Sequence, residues 1–118
     1  MASVYGFVIK VRDLDKCRAF YRDILMLGNP AMDSNFRTEF ELGGGARLIL
    51  ALARKEEELP AVSRGAFWLM PDDPQKILEN LEANGRIPAD DGLTLFDPDV
   101  KCFRDPEDNL FYVVVPSK

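Results

Sequence analysis

The chain has 118 residues, of which 47% are hydrophobic and 30% charged, and it carries a net charge of −5 with no histidine. That length suits one domain, or two half-size units sharing a core, because one unit of half the size buries too little surface to be secure alone. The charge disfavours a nucleic-acid partner, the longest apolar runs fall far short of the ~20 residues that cross a bilayer, and a nucleophilic cysteine has no histidine to activate it.

Val4 to Val11 reads as a strand. Asp13 stands at an N-cap position, and Cys17, Phe20, Tyr21, Ile24 and Leu25 follow at i, i+3, i+4, i+7, i+8, the apolar stripe of a helix. Gly28, Asn29 and Pro30 end it. Phe36 to Leu42 alternates as a strand, with Phe36, Thr38, Phe40 and Leu42 against Arg37, Glu39 and Glu41. Gly43-Gly44-Gly45 is a hairpin turn, and Arg47 to Ala53 runs back beside that strand. Residues 54–64, with the run Lys55 to Glu58 and Pro60, read as a solvated linker.

The second half repeats this order. Gly65 to Met70 is a strand, Asp72-Asp73-Pro74 starts a helix, and Ile77, Leu78 and Leu81 form its apolar face. Asn84-Gly85 stops it. Strands are expected at about Leu93 to Phe96, Val100 to Arg104 and Leu110 to Val115, with Asp97-Pro98-Asp99 and Asp105 to Asn109 as turns. The fold class is α+β: a strand–helix–strands module, 1–53, recurs at 65–118, and a duplicated unit of this kind builds one concave mixed sheet from two similar halves. Cys17 and Cys102 read as buried small hydrophobes. With no leader-like opening segment, the expected location is the cytoplasm.

Val11-Arg12-Asp13-Leu14 followed by Phe20-Tyr21-Arg22-Asp23-Ile24-Leu25, together with Phe103-Arg104-Asp105-Pro106-Glu107-Asp108-Asn109-Leu110, resembles the vicinal oxygen chelate superfamily. That group includes glyoxalase I, extradiol dioxygenases and bleomycin-resistance proteins. The likeness spans nearly the whole chain and implies two βαβββ modules with the helices on the outer face of the sheet. Two departures stand out: Met26 where a glycine often follows the first helix, and Asp108 in place of the turn glycine. Aspartate tolerates the left-handed region better than most residues, so that turn can survive.

The resemblance implies four ligand positions facing the hollow in metal-bearing members. They fall at Gly6, Ile49, Ala66 and Tyr112, and a one-residue slip brings in no better donor. A divalent ion needs oxygen, nitrogen or sulfur donors in a closed arrangement, so the expectation is no metal and no cofactor.

Strand alternation puts Val8, Arg47, Ala51, Trp68, Met70, Leu110 and Val114 on the same face as those four positions. Phe7, Ile9, Leu48, Leu50, Phe67, Leu69, Phe111 and Val113 then pack under the helices. Trp68 and Tyr112 either stack on a planar or cationic ligand, or close the hollow or meet a second subunit. Arg47 either clamps a carboxylate or, the favoured reading, pairs with Glu39 or Glu41. Glu39 and Glu41 read first as a solvated strand edge, and otherwise as an acid, a base or the partner of a cation. The ligand-binding set is therefore Trp68, Tyr112, Arg47, Ile49, Val8, Met70 and Glu39.

Three functions are open. The first is a metal-free protein that holds a bulky small molecule, with a cation as one option, as the resemblance to bleomycin-resistance proteins implies. The second is a glyoxalase- or dioxygenase-type enzyme. The third is a ligandless dimeric interaction module. A homodimer is expected from sheet edges and apolar surface.

Overall fold

The computed structural model describes residues 2–56, 59, 65–89 and 97–116. The chain divides into two compact units, Met1–Ala61 and Val62–Lys118. Both mix strands with a helix, so the fold is α+β.

In the first unit, β1 (Gly6–Val11) leads to α1 (Leu14–Ala19). The Asp13 carboxylate accepts the Lys16 N–H at 3.0 Å and caps α1 as its sequence position requires. The expected single helix does not keep its pitch: Phe20–Ile24 form a π-helical turn, closed by the Leu25 N–H on the Phe20 carbonyl at 3.1 Å. The cause lies in the packing. At 3.6 residues per turn, Phe20 and Leu25 point well apart. Widening the turn brings both inward with Tyr21, and all three are buried.

Met26 then takes the left-handed conformation at φ 59°. The short strand β2 (Met32–Asp33) follows, a piece too brief to leave a periodic trace in the sequence. β3 (Arg37–Glu41) and β4 (Arg47–Leu52) form the expected hairpin. Its turn is Gly43–Gly45, with φ of 83° at Gly44 and 88° at Gly45. The sheet order is β1-β4-β3-β2, with β1 parallel to β4 and the other pairs antiparallel. Leu48, Leu50, Phe40, Thr38 and Val11 are buried, and α1 packs on β4. The Phe40 and Tyr21 rings lie 6.5 Å apart. Phe40 therefore belongs to the helix-facing side, and Arg37, Glu39 and Glu41 belong to the other face of β3.

In the second unit, β5 (Phe67–Leu69) precedes α2 (Pro74–Ala83). Asp73 caps α2 through the Lys76 N–H at 3.1 Å, with Pro74 in the first turn. Gly85 stops it at φ 74°. β6 (Val100–Arg104) and β7 (Leu110–Val114) close the unit. The strand expected at Leu93 to Phe96 lies outside the described residues. The order is β5-β7-β6, with β5 parallel to β7 and β6 antiparallel to it. In each unit, then, the first strand pairs parallel with the last, and the last pairs antiparallel with the one before it. The sequence repeat is thus a repeat of topology. Phe67, Phe111 and Phe103 stack at 5.5 and 6.1 Å along this sheet's inner side.

One residue departs from the inward set: Phe7, on β1, is 40% exposed; among the described residues β1 pairs with β4. Cys17 and Cys102 are both buried and form no disulfide. No described helix is long and apolar enough to cross a membrane.

Candidate functional site

On the first unit's sheet, strand register sets out the face opposite the helix residue by residue. Gly6, Arg47 and Glu41 form one row, Val8, Ile49, Glu39 and Met32 the next, and Lys10, Ala51 and Arg37 the third. Charged side chains thus flank a central row that is apolar except for Glu39.

Glu39 is the focus of that face. It is only 4% exposed. Its Oε1 accepts the Tyr5 hydroxyl at 2.8 Å and the Arg47 Nη1 at 2.9 Å. Its Oε2 pairs with the Arg37 Nε at 3.0 Å. The Arg47 guanidinium also sits 5.6 Å from the centre of the Tyr5 ring. The solvated-edge expectation for Glu39 is therefore wrong. β3 lies between β2 and β4 and is no edge, and a buried carboxylate must find partners. Glu41, two residues on, is exposed.

These bonds decide what Glu39 can do. The Tyr5 hydrogen bond, then that of Arg47, hold its carboxyl below the ordinary carboxylate range. It stays ionised and its lone pairs are engaged, which makes it a poor base and no donor. The same bond raises the Tyr5 phenol above its ordinary value, since losing the hydroxyl proton would lose the bond. Arg47 is raised as well, chiefly by Glu39.

Of the other predicted residues in this unit, Val8 is 53% exposed and Ile49 only 7%. Ile49 is covered because its row also carries Glu39. Tyr5 and Arg37 were missed as members of the cluster. Arg37 was legible, because closing the hairpin at Gly43–Gly45 sets Arg37, Glu39 and Glu41 alternately on one face beside Arg47. Tyr5 precedes β1, and no periodicity carries its hydroxyl to Glu39.

The second unit brings Trp68 and Tyr112 together. They pair in register across β5 and β7, with ring centres 5.7 Å apart and planes tilted by 32°. Trp68 is 46% exposed and Met70 80%, while Tyr112 is half-buried. The result is an aromatic ledge with an open face beside a flexible apolar side chain.

The four counted metal positions do not fit a metal. Gly6 has no side chain, and a Cβ there would run into the Arg47 backbone carbonyl, with Ile49 Cδ1 also 3.1 Å away. Ile49 and Ala66 carry hydrocarbon, and the Tyr112 phenol is a rare ligand. Among the described residues, no three His, Cys, Asp or Glu side chains group as a metal cage.

No family model matches the sequence, and no curated protein does. Solved structures do match. A lactoylglutathione lyase from Agrobacterium tumefaciens superposes with a TM-score of 0.69 at 22% identity, over 98% of this chain and 94% of that one. The fold is glyoxalase-like. An oxidase, ChaP-H1, gives a TM-score of 0.75 at 15% identity over 99% and 98% of the two chains. The fosfomycin resistance protein FosX from Listeria monocytogenes gives 0.66 at 16%, over 99% and 93%. These likenesses support the vicinal oxygen chelate type of fold that the sequence motifs suggested. The three are a lyase, an oxidase and a resistance protein, so one architecture carries several functions.

Proposed function

We propose that this protein binds a bulky planar small molecule without a metal, in the manner of the bleomycin-resistance proteins whose motifs its sequence resembles. The observation that carries this reading is the Trp68–Tyr112 pair, with Trp68 half open to solvent. A large aromatic pair left open on a sheet face is a stacking platform, worth about 0.5–1.5 kcal/mol per aromatic contact. A ligand cation over either ring adds about 0.5–2 kcal/mol. Met70, unbranched and 80% exposed, can adapt to ligands of different outline. Glu39 is not a counter-charge for such a ligand, because two arginines already neutralise it.

Trp68 is the only tryptophan in the chain, so its emission reports the ledge alone. Titrating a panel of cationic and neutral aromatic compounds should give saturable quenching for the planar cations. Tyr112→Ala should weaken that binding about tenfold, the loss of one stacking partner. Unchanged Trp68 emission across the whole panel removes the reading.

A further inference from the structure

We propose that Arg37 and Arg47 form a binding site for a small anionic group, a carboxylate or a phosphate or phosphonate, on the sheet face of the first unit. The inference is independent of the aromatic ledge and stands whether or not that ledge binds a ligand.

Three other arginines of the described chain are closed on carboxylates. Arg12 spends two donors on Glu56, at 3.0 and 2.7 Å. Arg22 does the same with Asp23, at 2.8 and 2.9 Å. Arg18 reaches Asp15, Asp33 and the Ser34 carbonyl. Each of these guanidiniums has a carboxylate to itself, or more than one. Arg37 and Arg47 share one. Arg37 gives Nε to Glu39, and Arg47 gives Nη1. The two Nη groups of Arg37, and the Nε and Nη2 of Arg47, meet no hydrogen-bond acceptor or carboxylate among the described residues. A guanidinium binds carboxylate and phosphate by a fork of parallel donors, and each arginine keeps two nitrogens for that use.

Burial makes the arrangement a built one. Glu39 is nearly covered and holds its two oxygens toward different arginines. It therefore fixes both guanidiniums in place, so little of their side-chain freedom is left to lose on binding. The side chains remain 52% and 28% exposed, so a solute can reach them. Two positive charges and one negative leave one positive charge uncancelled. Glu41 stands opposite Arg47 in register and acts on it through space, but makes no ion pair with it within 4.0 Å. Lys10 lies on the same face, in the row of Arg37. Val8 and Ile49 supply an apolar floor between the arginines, suited to the organic part of a carboxylate or phosphonate.

The test follows the arginine Nε resonances of the full-length protein while inorganic phosphate, methylphosphonate or acetate is added. The Arg37 and Arg47 signals should move and saturate, while those of Arg12 and Arg22, which are already closed on carboxylates, should not. A response to acetate alone assigns a carboxylate site, and a response to phosphate and methylphosphonate alone assigns the phosphorus oxyanions. Arg47→Met should weaken binding about tenfold, the loss of one charge-assisted fork. If all four arginine signals move together, or if Arg37 and Arg47 stay still with every anion, the proposal is wrong. Equal affinity in the parent and in Arg47→Met also overturns it.

Discussion

The Tyr5 hydroxyl donates to Glu39 Oε1 at 2.8 Å, and that single bond shifts the two ionisations in opposite directions. The Glu39 carboxyl is held below its ordinary 4.5. Its contribution to stability is therefore complete above that value and is lost as pH falls through the lower folded value. The Tyr5 phenol is held above its ordinary 10.0. Its contribution is complete below that value and is lost as pH rises through the higher folded value. Tyr5→Phe removes the leading cause of both shifts. Urea unfolding across the pH range should show a smaller acid fall-off in the variant, complete at higher pH because its folded carboxyl lies nearer the ordinary value, and the alkaline step due to Tyr5 gone. Identical limbs in variant and parent would mean that the bond does not form in solution.

Glu39→Gln separates charge from shape in the same cluster. The amide is isosteric and keeps one acceptor, but it turns a donor toward one of two cationic guanidiniums. Since the group is buried, the expected cost is about 1–3 kcal/mol. The loss should be largest near neutral pH and should shrink in acid, where the parent's own carboxylate is protonated. Chemical denaturation at both pH values checks this. A loss independent of pH would assign Glu39 a purely steric role.

Gly6→Ala tests the close approach of β1 to β4. The added methyl would meet the Arg47 backbone carbonyl, which cannot move without breaking strand pairing. Overpacking of this kind costs about 1–3 kcal/mol. The carbonyl belongs to the residue whose guanidinium holds Glu39, so the variant should also disturb the Arg47 Nε resonance. A variant as stable as the parent would show that the strands can separate there.

The repeat, the two helix caps, the Gly43–Gly45 hairpin and most inward residues were legible in the sequence, because each follows from local chemistry or a short period. Asp13 and Asp73 are caps by residue type and position. Leu48 and Leu50 are inward by alternation. The π-turn at Phe20–Ile24 was not legible, since it answers to the three side chains that must be buried together. The pairing of Glu39 with Arg47 was legible, but the burial of Glu39 was missed for a related reason. Alternation grouped it with Arg37 and Glu41 without fixing which side they face, and its burial follows from β2 flanking β3, whose two residues leave no pattern. Tyr5 joins the cluster through a contact 34 positions away in sequence, which periodicity does not encode.

Two residues sit in the left-handed region at a cost, and glycine should relieve it. Met26 has φ 59° and Asp108 φ 65°. The conformation costs an ordinary residue roughly 1–2 kcal/mol, partly offset by the greater freedom glycine has when unfolded. Met26 is 48% exposed, so removing its side chain loses little packing. Met26→Gly should gain about 0.5–1 kcal/mol. Asp108→Gly should gain less, because aspartate tolerates the region better. Thermal melts of both variants rank the effect, and a reversed order would contradict the backbone argument.

Asp105 is the anchor of the β6–β7 hairpin, and its removal should be the most damaging of these changes. The residue is fully buried. Its Oδ1 accepts the Glu107 N–H at 2.8 Å and the Asn109 N–H at 2.9 Å, while the Asn109 side-chain amide bonds both carboxylate oxygens at 3.2 and 3.0 Å. The backbone closes the same turn from Asp108 and Asn109. Asp105→Ala leaves two backbone N–H groups and one amide without their acceptor, at a cost of about 2–4 kcal/mol. Asp105→Asn keeps one oxygen but sets its own amide hydrogens against those of Asn109, so it should recover only part of the loss. Asn109→Ala removes the side-chain bonds and spares the backbone ones, and should fall between the parent and Asp105→Ala. Denaturant midpoints in that order would show that the Asp-Pro-Glu-Asp-Asn run is retained for hairpin geometry. If Asp105→Ala matched the parent, the buried carboxylate would not be what holds the turn.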